Sequence, residues 1–235
     1  MALLPPPVVL DELEEFLGPY RAAWPDLRWE RRALFHVTVS FLGEVDDQAL
    51  EMLMPRLERV AGRCPPLTLS FAGAGAFPSG GAYARVLWTG LYGDRRTLAG
   101  LAASVGAAAR QVCLPPGSAG RGQGSAGPGE HKTFRPHLTL ARCRRPTDVR
   151  PLVEALSAFA GAAWTAGELQ LMRSYQSPQV RYETFRTWPL SDGPLHDRPL
   201  HDRPLHDGPL HDGPSLQDGG TEAVGTADDS RLPGQ

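Results

Sequence analysis

Apolar side chains recur at helical spacing in four segments of the chain. Leu10, Leu13, Leu17, Tyr20 and Trp24 alternate by three and four, which predicts an amphipathic helix over 8–24 ending near Trp24-Pro25. Leu50, Leu53, Leu57 and Val60 predict a second over 47–60; Pro55 inside it predicts a kink or two short helices. Leu98, Leu101, Val105, Ala108 and Val112 predict a third, rich in small residues, and Val149, Leu152, Val153, Leu156 and Phe159 a fourth. Between them, β-branched and aromatic runs predict strands at 34–42, 67–71, 83–89, 134–142, 168–173 and 181–188. Strands and helices mix without a strict βαβ rhythm, so the natural class is α+β with antiparallel sheets.

One pattern occurs twice. HVTVSFLGEVDDQALEML from His36 lies over HLTLARCRRPTDVRPLVEAL from His137, at an offset of 101 residues. Each copy begins His-x-Thr-x on a predicted strand and passes through a turn. The N-cap candidates there are Asp46 or Asp47 in the first copy and Thr147 or Asp148 in the second. Each then enters an amphipathic helix. Period two places Phe35, Val37, Val39 and Phe41 on one face of the first strand, which makes Phe41 a core candidate, and His36, Thr38 and Ser40 on the other. In the second copy Leu138 and Leu140 oppose His137 and Thr139. Two such units related by a pseudo-twofold axis would gather two imidazoles and two hydroxyls around one cleft. A single His-x-Thr on a strand usually marks a solvated sheet face; two copies in the same local setting are harder to explain that way.

Composition narrows the classes. The chain has 235 residues, 41% hydrophobic and 21% charged, the values of an ordinary globular protein. No apolar run reaches the roughly 18 residues of a membrane span. MALLPPPVVLDELEEF lacks a basic n-region and does not read as a secretory signal, so a cytoplasmic location is expected. Cys64, Cys113 and Cys143 form no CxxC, which argues against a disulfide framework or structural zinc. The formal net charge of −2 conceals −6 over residues 191–235 and +4 over the rest. That terminal stretch repeats GPLHD-like units with proline at every fifth position from Pro194 to Pro214. Such spacing forbids continuous helix and sheet interior, and one Leu per unit cannot offset the ordering entropy. The expected organisation is a folded domain over 1–190 and a disordered tail over 191–235. His196, His201, His206 and His211 could bind a soft metal weakly, but repeat expansion accounts for them more simply. Residues 115–130, Gly-, Ser- and Pro-rich, read as a flexible loop. His131, beside it, reads as solvated.

Several chemistries lack their motifs. There is no HExxH or Cys/carboxylate cluster, no G-x-S-x-G elbow and no GxxxxGK[ST]; GAGAFP at 73–78 misses the last glycine of a dinucleotide fingerprint. What remains is paired imidazole chemistry. Imidazole can act as acid or base near neutrality.

HVTVSFLGEV and RPHLTLAR, with the ending SYQSPQVRYETFRTWPL, resemble the two-histidine phosphoesterase superfamily, in particular its RNA 2′,3′-cyclic phosphodiesterase branch, historically called 2′-5′ RNA ligase. The resemblance covers roughly 1–190. It implies a bilobal fold with two pseudo-symmetric antiparallel sheets lining a central cleft, helices outside. It implies opening of RNA 2′,3′-cyclic phosphate ends to 2′-phosphates without metal or cofactor, and weak 2′-5′ ligation as the reverse. In that reading His36 is the proton donor to the leaving 3′ oxygen and His137 the acceptor that activates water. Thr38 and Thr139 hydrogen-bond the phosphate, with Arg142 as a further phosphate or backbone contact. Strict alternation from His137 puts Arg142 on the wrong face, so the strand must end or bulge near Ala141, or Arg142 works from the rim. Phe41 occupies the place of Arg142 in the first copy, where the resemblance leaves open a base-stacking contact near the cleft as the alternative to a core position; Tyr182 matches a family tyrosine, with core packing as good a reading as substrate contact. Arg28, Arg31, Arg32, Arg144 and Arg145 are candidates to guide an RNA backbone. Only Met1–Leu4 precede Pro5, where the family has a longer strand; either the start lies a few residues upstream or the edge strand is short. The expected partners are RNA termini or a small cyclic phosphate, such as ADP-ribose 1″,2″-cyclic phosphate or a cyclic nucleotide. No membrane and no obligate protein partner is expected, and the protein is expected to be a monomer. An idle RNA-end binding protein is the non-enzymatic alternative.

Overall fold

A computed structural model describes residues 1–113 and 134–193. In chain order the elements are β1 (Ala2–Leu3), α1 (Pro7–Ala23), β2 (Arg28–Trp29), a 3₁₀ turn (Arg32–Leu34), β3 (Val37–Thr38), α2 (Asp47–Ala61), β4 (Leu67–Phe77), β5 (Ala84–Gly93) and α3 (Arg95–Cys113). They continue with β6 (His137–Thr147), α4 (Arg150–Leu156), β7 (Trp164–Ala166), β8 (Glu168–Tyr175) and β9 (Arg181–Pro189). The Gly-rich loop, His131 and the repeat tail from Pro194 lie outside the described residues.

The α+β expectation holds, and the four helices form where the spacing placed them. α1 starts on Pro7, whose missing N–H costs nothing in the first turn, and buries Val9, Leu10, Leu13 and Leu17. α2 is capped by Asp46, whose carboxylate accepts from Ala49 N at 2.7 Å. It runs unbroken through Pro55, so the two-helix option fails; Leu53, Leu57 and Ala61 are all buried and hold both halves to the core. α4 is shorter than its periodicity suggested, and neither sequence candidate caps it. Its N-cap is Val149, while Asp148 accepts from the Arg150 main chain and side chain instead.

Among the described residues the strands form one antiparallel sheet in the order β7-β4-β5-β6-β3-β1-β8-β9, with β2 also on β6. The two expected sheets are thus continuous. One side is built on the long β4–β5–β6 pairings and the other on the β8–β9 hairpin. The seam between them is thin: β3 meets β6 through Val37 and Leu138, and β1 meets β3 through two residue pairs and β8 through one. The first motif strand, expected over 34–42, is only two residues long because the 3₁₀ turn occupies its beginning. β1 is short as expected, but it lies between β3 and β8 rather than at an edge. Met1 is buried, its ammonium donating to Ser40 O at 2.7 Å, and burial lowers that amine to about 6. β2 and β7 carry no periodicity of their own and were invisible to the pattern; each is held by its pairing with β6 or β4.

Val37 and Leu138, both 0% exposed, face the core directly beneath the motif residues. Leu138→Ala should therefore destabilise the protein by about 2–5 kcal/mol through lost contacts and a residual cavity. Leu138→Met should cost under about 1.5 kcal/mol, both read from denaturant unfolding midpoints.

Candidate active site

Alternation brings the two motifs together. Val37 pairs antiparallel with Leu138. The same register sets His36 opposite Thr139 and Thr38 opposite His137 on the other face of the sheet. The four side chains occupy the corners of a quadrilateral, the histidines on one diagonal and the threonines on the other. Diagonal neighbours on adjacent antiparallel strands lie about 7 Å apart, a span that one phosphate can bridge. Residues 101 positions apart in the chain thus become neighbours.

The two imidazoles are held alike. His36 Nδ1 lies 2.8 Å from Leu34 O, and His137 Nδ1 lies 2.7 Å from Arg135 O, in each case the carbonyl two residues upstream. A carbonyl oxygen only accepts, so Nδ1 carries the proton in both rings. Nε2 is left as the titrating atom, bare in the neutral form. Aromatic rings complete each seat. Tyr182 meets His36 edge-on, with centroids 4.7 Å apart at 68°. Phe77 meets His137 edge-on at 5.0 Å, and Trp88 lies 6.1 Å from the same ring. Trp88 crosses the sheet over Gly75, its cross-strand partner, where any β-carbon would collide with the indole. Tyr182 is therefore neither a plain core residue nor remote from the site. Phe77 lies in the GAFP run, where nothing local marks it as a site residue; its place beside His137 depends on the β4–β5–β6 register.

Burial lowers both imidazoles below their ordinary value of about 6.5. The carbonyl contacts oppose that shift, and at His36 the Glu30 carboxylate opposes it as well. The Arg142 charge adds to it at both rings, and the Met1 ammonium adds to it at His36. One guanidinium is thus felt by both histidines.

Arg142 reaches that position through a bulge. Trp88 pairs with Thr139 but Leu87 pairs with Ala141, so β6 carries one extra residue at Leu140. Leu140 and Ala141 are buried in succession, and the alternation restarts with Arg142 outward on the histidine side. The bulge near Ala141, one of the three expected ways out of the wrong-face difficulty, is the one realised. Arg142 is then fixed by Glu30, whose carboxylate accepts from Nε at 2.9 Å. Glu30 was missed in the sequence. It lies just after β2, a strand without a pattern, and nothing local marks WERR as contributing a buried acid.

Other expectations separate. Phe41 is 72% exposed, which overturns its core assignment: β3 ends at Thr38, and alternation no longer governs position 41. Arg32 is engaged by Asp11 at 2.7 Å and Glu14 at 2.9 Å, and Arg31 donates to Val180 O at 3.0 Å. Both serve the fold instead of standing free in the cleft. Arg28 lies on β2 opposite Arg142, and Arg144 and Arg145 lie exposed farther along β6. No helix among the described residues is long and apolar enough to cross a membrane.

A family model described as LigT-like phosphoesterase matches residues 3–88. A protein of Archaeoglobus fulgidus named RNA 2′,3′-cyclic phosphodiesterase is 30% identical over 145 residues, covering 61% of this chain and 72% of that one. The chain belongs to the LigT-like phosphoesterases. A Geobacillus stearothermophilus protein of the same name is 27% identical over 181 residues, which is 76% of this chain. The match spans 52%, about half, of that relative's length. The crystal structure of TT0787 of Thermus thermophilus superposes with a TM-score of 0.62 at 25% identity, covering 82% of this chain and 96% of that one. Apo LigT of E. coli shares the fold with a TM-score of 0.58 at 23% identity, covering 81% and 95%. The LigT-like fold therefore extends over the described residues well beyond the segment matched by the family model.

Both imidazoles of this LigT-like phosphoesterase should titrate below 6.5, with neutral rings protonated on Nδ1. Long-range ¹H–¹⁵N NMR during a pH titration reads both properties. Because the folded values are depressed, the contribution of the histidines to stability is present above about pH 6.5 and lost as pH falls through their folded values. Phosphate, binding the cationic rings, should raise both titrations.

Proposed function

We propose that this LigT-like phosphoesterase hydrolyses RNA 2′,3′-cyclic phosphate ends to 2′-phosphates, with His36 as proton donor and His137 as proton acceptor. The observation that carries this reading is the pair of imidazoles on one diagonal of the β3–β6 seam, each with Nδ1 committed to a carbonyl and Nε2 available. Two such nitrogens on opposite sides of one phosphorus suit in-line displacement. The shared name of the archaeal and bacterial relatives supports this substrate class.

The terminal cyclic phosphate sits between the histidines. His137 Nε2 takes a proton from water as the water oxygen attacks phosphorus. The P–O3′ bond breaks on the far side, and His36 Nε2 delivers its proton to the departing 3′ oxygen. The 2′-phosphate remains. His137 ends protonated and His36 neutral, and exchange with solvent restores the starting state. Thr38 and Thr139, on the other diagonal, donate hydroxyl hydrogen bonds to the non-bridging oxygens. Arg142 opposes the charge that grows on them in the transition state. His36 must begin protonated although burial disfavours its cation, so the anionic substrate itself supplies the counter-charge that readies the acid. Each step needs only protons, water and fixed donors, so the reaction proceeds without a metal or cofactor.

An oligoribonucleotide bearing a 2′,3′-cyclic phosphate, assayed with a chelator present, should yield a 2′-phosphate. Mononucleotide 2′,3′-cyclic phosphates and ADP-ribose 1″,2″-cyclic phosphate, run in parallel, decide between RNA ends and small cyclic substrates. His36→Ala and His137→Ala should each lose about 10²–10⁴-fold in kcat. Near-wild-type activity in His137→Ala would remove its role as base.

The pH profile should be a bell. For kcat/KM, which reports the free enzyme, its centre should fall on the acid side of about pH 6.5, because both histidines are depressed. For kcat, which reports the substrate complex, the bell should move toward alkaline pH. A profile for kcat/KM centred well above neutrality contradicts this assignment.

A further inference from the structure

Among the described residues Glu30 and Thr89 are the buried polar or charged side chains, so Glu30 is the buried side chain that carries a formal charge. Thr89 is accounted for by its hydrogen bond to Gly73 O at 2.8 Å. Glu30 is 8% exposed, and its carboxylate meets Arg142 Nε at 2.9 Å. Its main chain is fixed as well: Glu30 N donates to Leu140 O at 2.8 Å, at the bulge that reorients Arg142. The other side of the pair is half open, the Arg142 side chain being 50% exposed against 9% for that of Glu30.

This asymmetry is uneconomical for stability. Burying a carboxylate costs several kcal/mol in solvation, and an apolar residue of similar volume often serves a fold as well or better. The Arg32 and Arg150 ion pairs, with more exposed carboxylates, avoid that cost. What burial does provide is a fixed anchor. The contact uses Nε, at the inner end of the guanidinium, and the terminal NH2 groups stay available. A half-exposed arginine without such an anchor would spread over many rotamers.

We propose that Glu30 is a positioning residue, which holds Arg142 by Nε so that the guanidinium charge stands over the phosphate position between His36 and His137. This rests on the reading of the site as a phosphoryl-transfer cleft. Glu30 touches no reacting atom; it acts through Arg142, while its carboxylate also favours the His36 cation directly. The influence of Arg142 on both imidazoles is what such a placement produces.

The test is a double-mutant cycle on the full chain, with Glu30→Gln and Glu30→Met made in wild-type and Arg142→Ala backgrounds. Glu30→Met keeps the volume and removes the acceptor. It should lower kcat/KM on the order of tenfold to a hundredfold while leaving the melting temperature unchanged or raised. Glu30→Gln keeps an acceptor for Nε without the charge and should lose less. In the Arg142→Ala background both substitutions should cost far less than in the wild type, leaving only the small direct effect of the Glu30 charge on His36. Additive losses, full activity in Glu30→Met, or a fall in melting temperature that accounts for the lost activity would each overturn the proposal. Binding of inorganic phosphate, read from the histidine NMR shifts, repeats the cycle without turnover. An inactive wild type that binds phosphate through a coupled Glu30–Arg142 pair would sink the RNA reading and leave this one standing. Phosphate binding indifferent to Glu30 in an active enzyme would do the reverse.

Discussion

The structure depends on one pairing, Val37 against Leu138 in antiparallel register. Below the sheet these two side chains join a buried cluster that runs from α1 to β9. Above it, the same register forces His36, Thr38, His137 and Thr139 into one patch. Core and cleft are two faces of one constraint. Shifting either strand by a single residue would turn its histidine inward and its apolar partner outward, at a cost in burial and desolvation that the fold cannot absorb. The seam is short, so its fidelity comes from its flanks: the long β5–β6 ladder on one side, β1 and the β8–β9 hairpin on the other.

Pseudo-symmetry reaches further than the motif. Each histidine is anchored to the carbonyl two residues upstream and each is braced by aromatic rings edge-on. The two braces nonetheless come from different lobes, Tyr182 from the terminal hairpin and Phe77 with Trp88 from the β4–β5 pair. The remaining elements are not duplicated. Arg142 has no counterpart in the first unit, where position 41 is an exposed phenylalanine beyond the end of β3. In the proposed reaction two alike imidazoles perform opposite tasks, and a single guanidinium on one side, together with the Met1 ammonium near His36, makes their surroundings unequal.

The four helices were readable because each buries one stripe, and a stripe repeats in the chain whatever it packs against. The long strands were readable for the same reason. β1, β2 and β7 were not: two or three residues hold no period, and their state is set by partners far away in sequence. Phe41 failed because alternation was carried past the point where pairing stops. At Pro55 the helix stays in one piece because tertiary burial on both sides outweighs one missing hydrogen bond.

The sequence by itself determined the α+β class, the duplicated His-x-Thr units and that each histidine shares a face with its threonine. These follow from local periodicity and from the chemistry of imidazole. Only the tertiary structure decided that the two units pair with each other, that a bulge at Leu140 turns Arg142 toward them, and that a buried Glu30 anchors it. Register, bulges and the burial of an acid are properties of pairs of segments, and no single stretch of chain carries the energy that selects them.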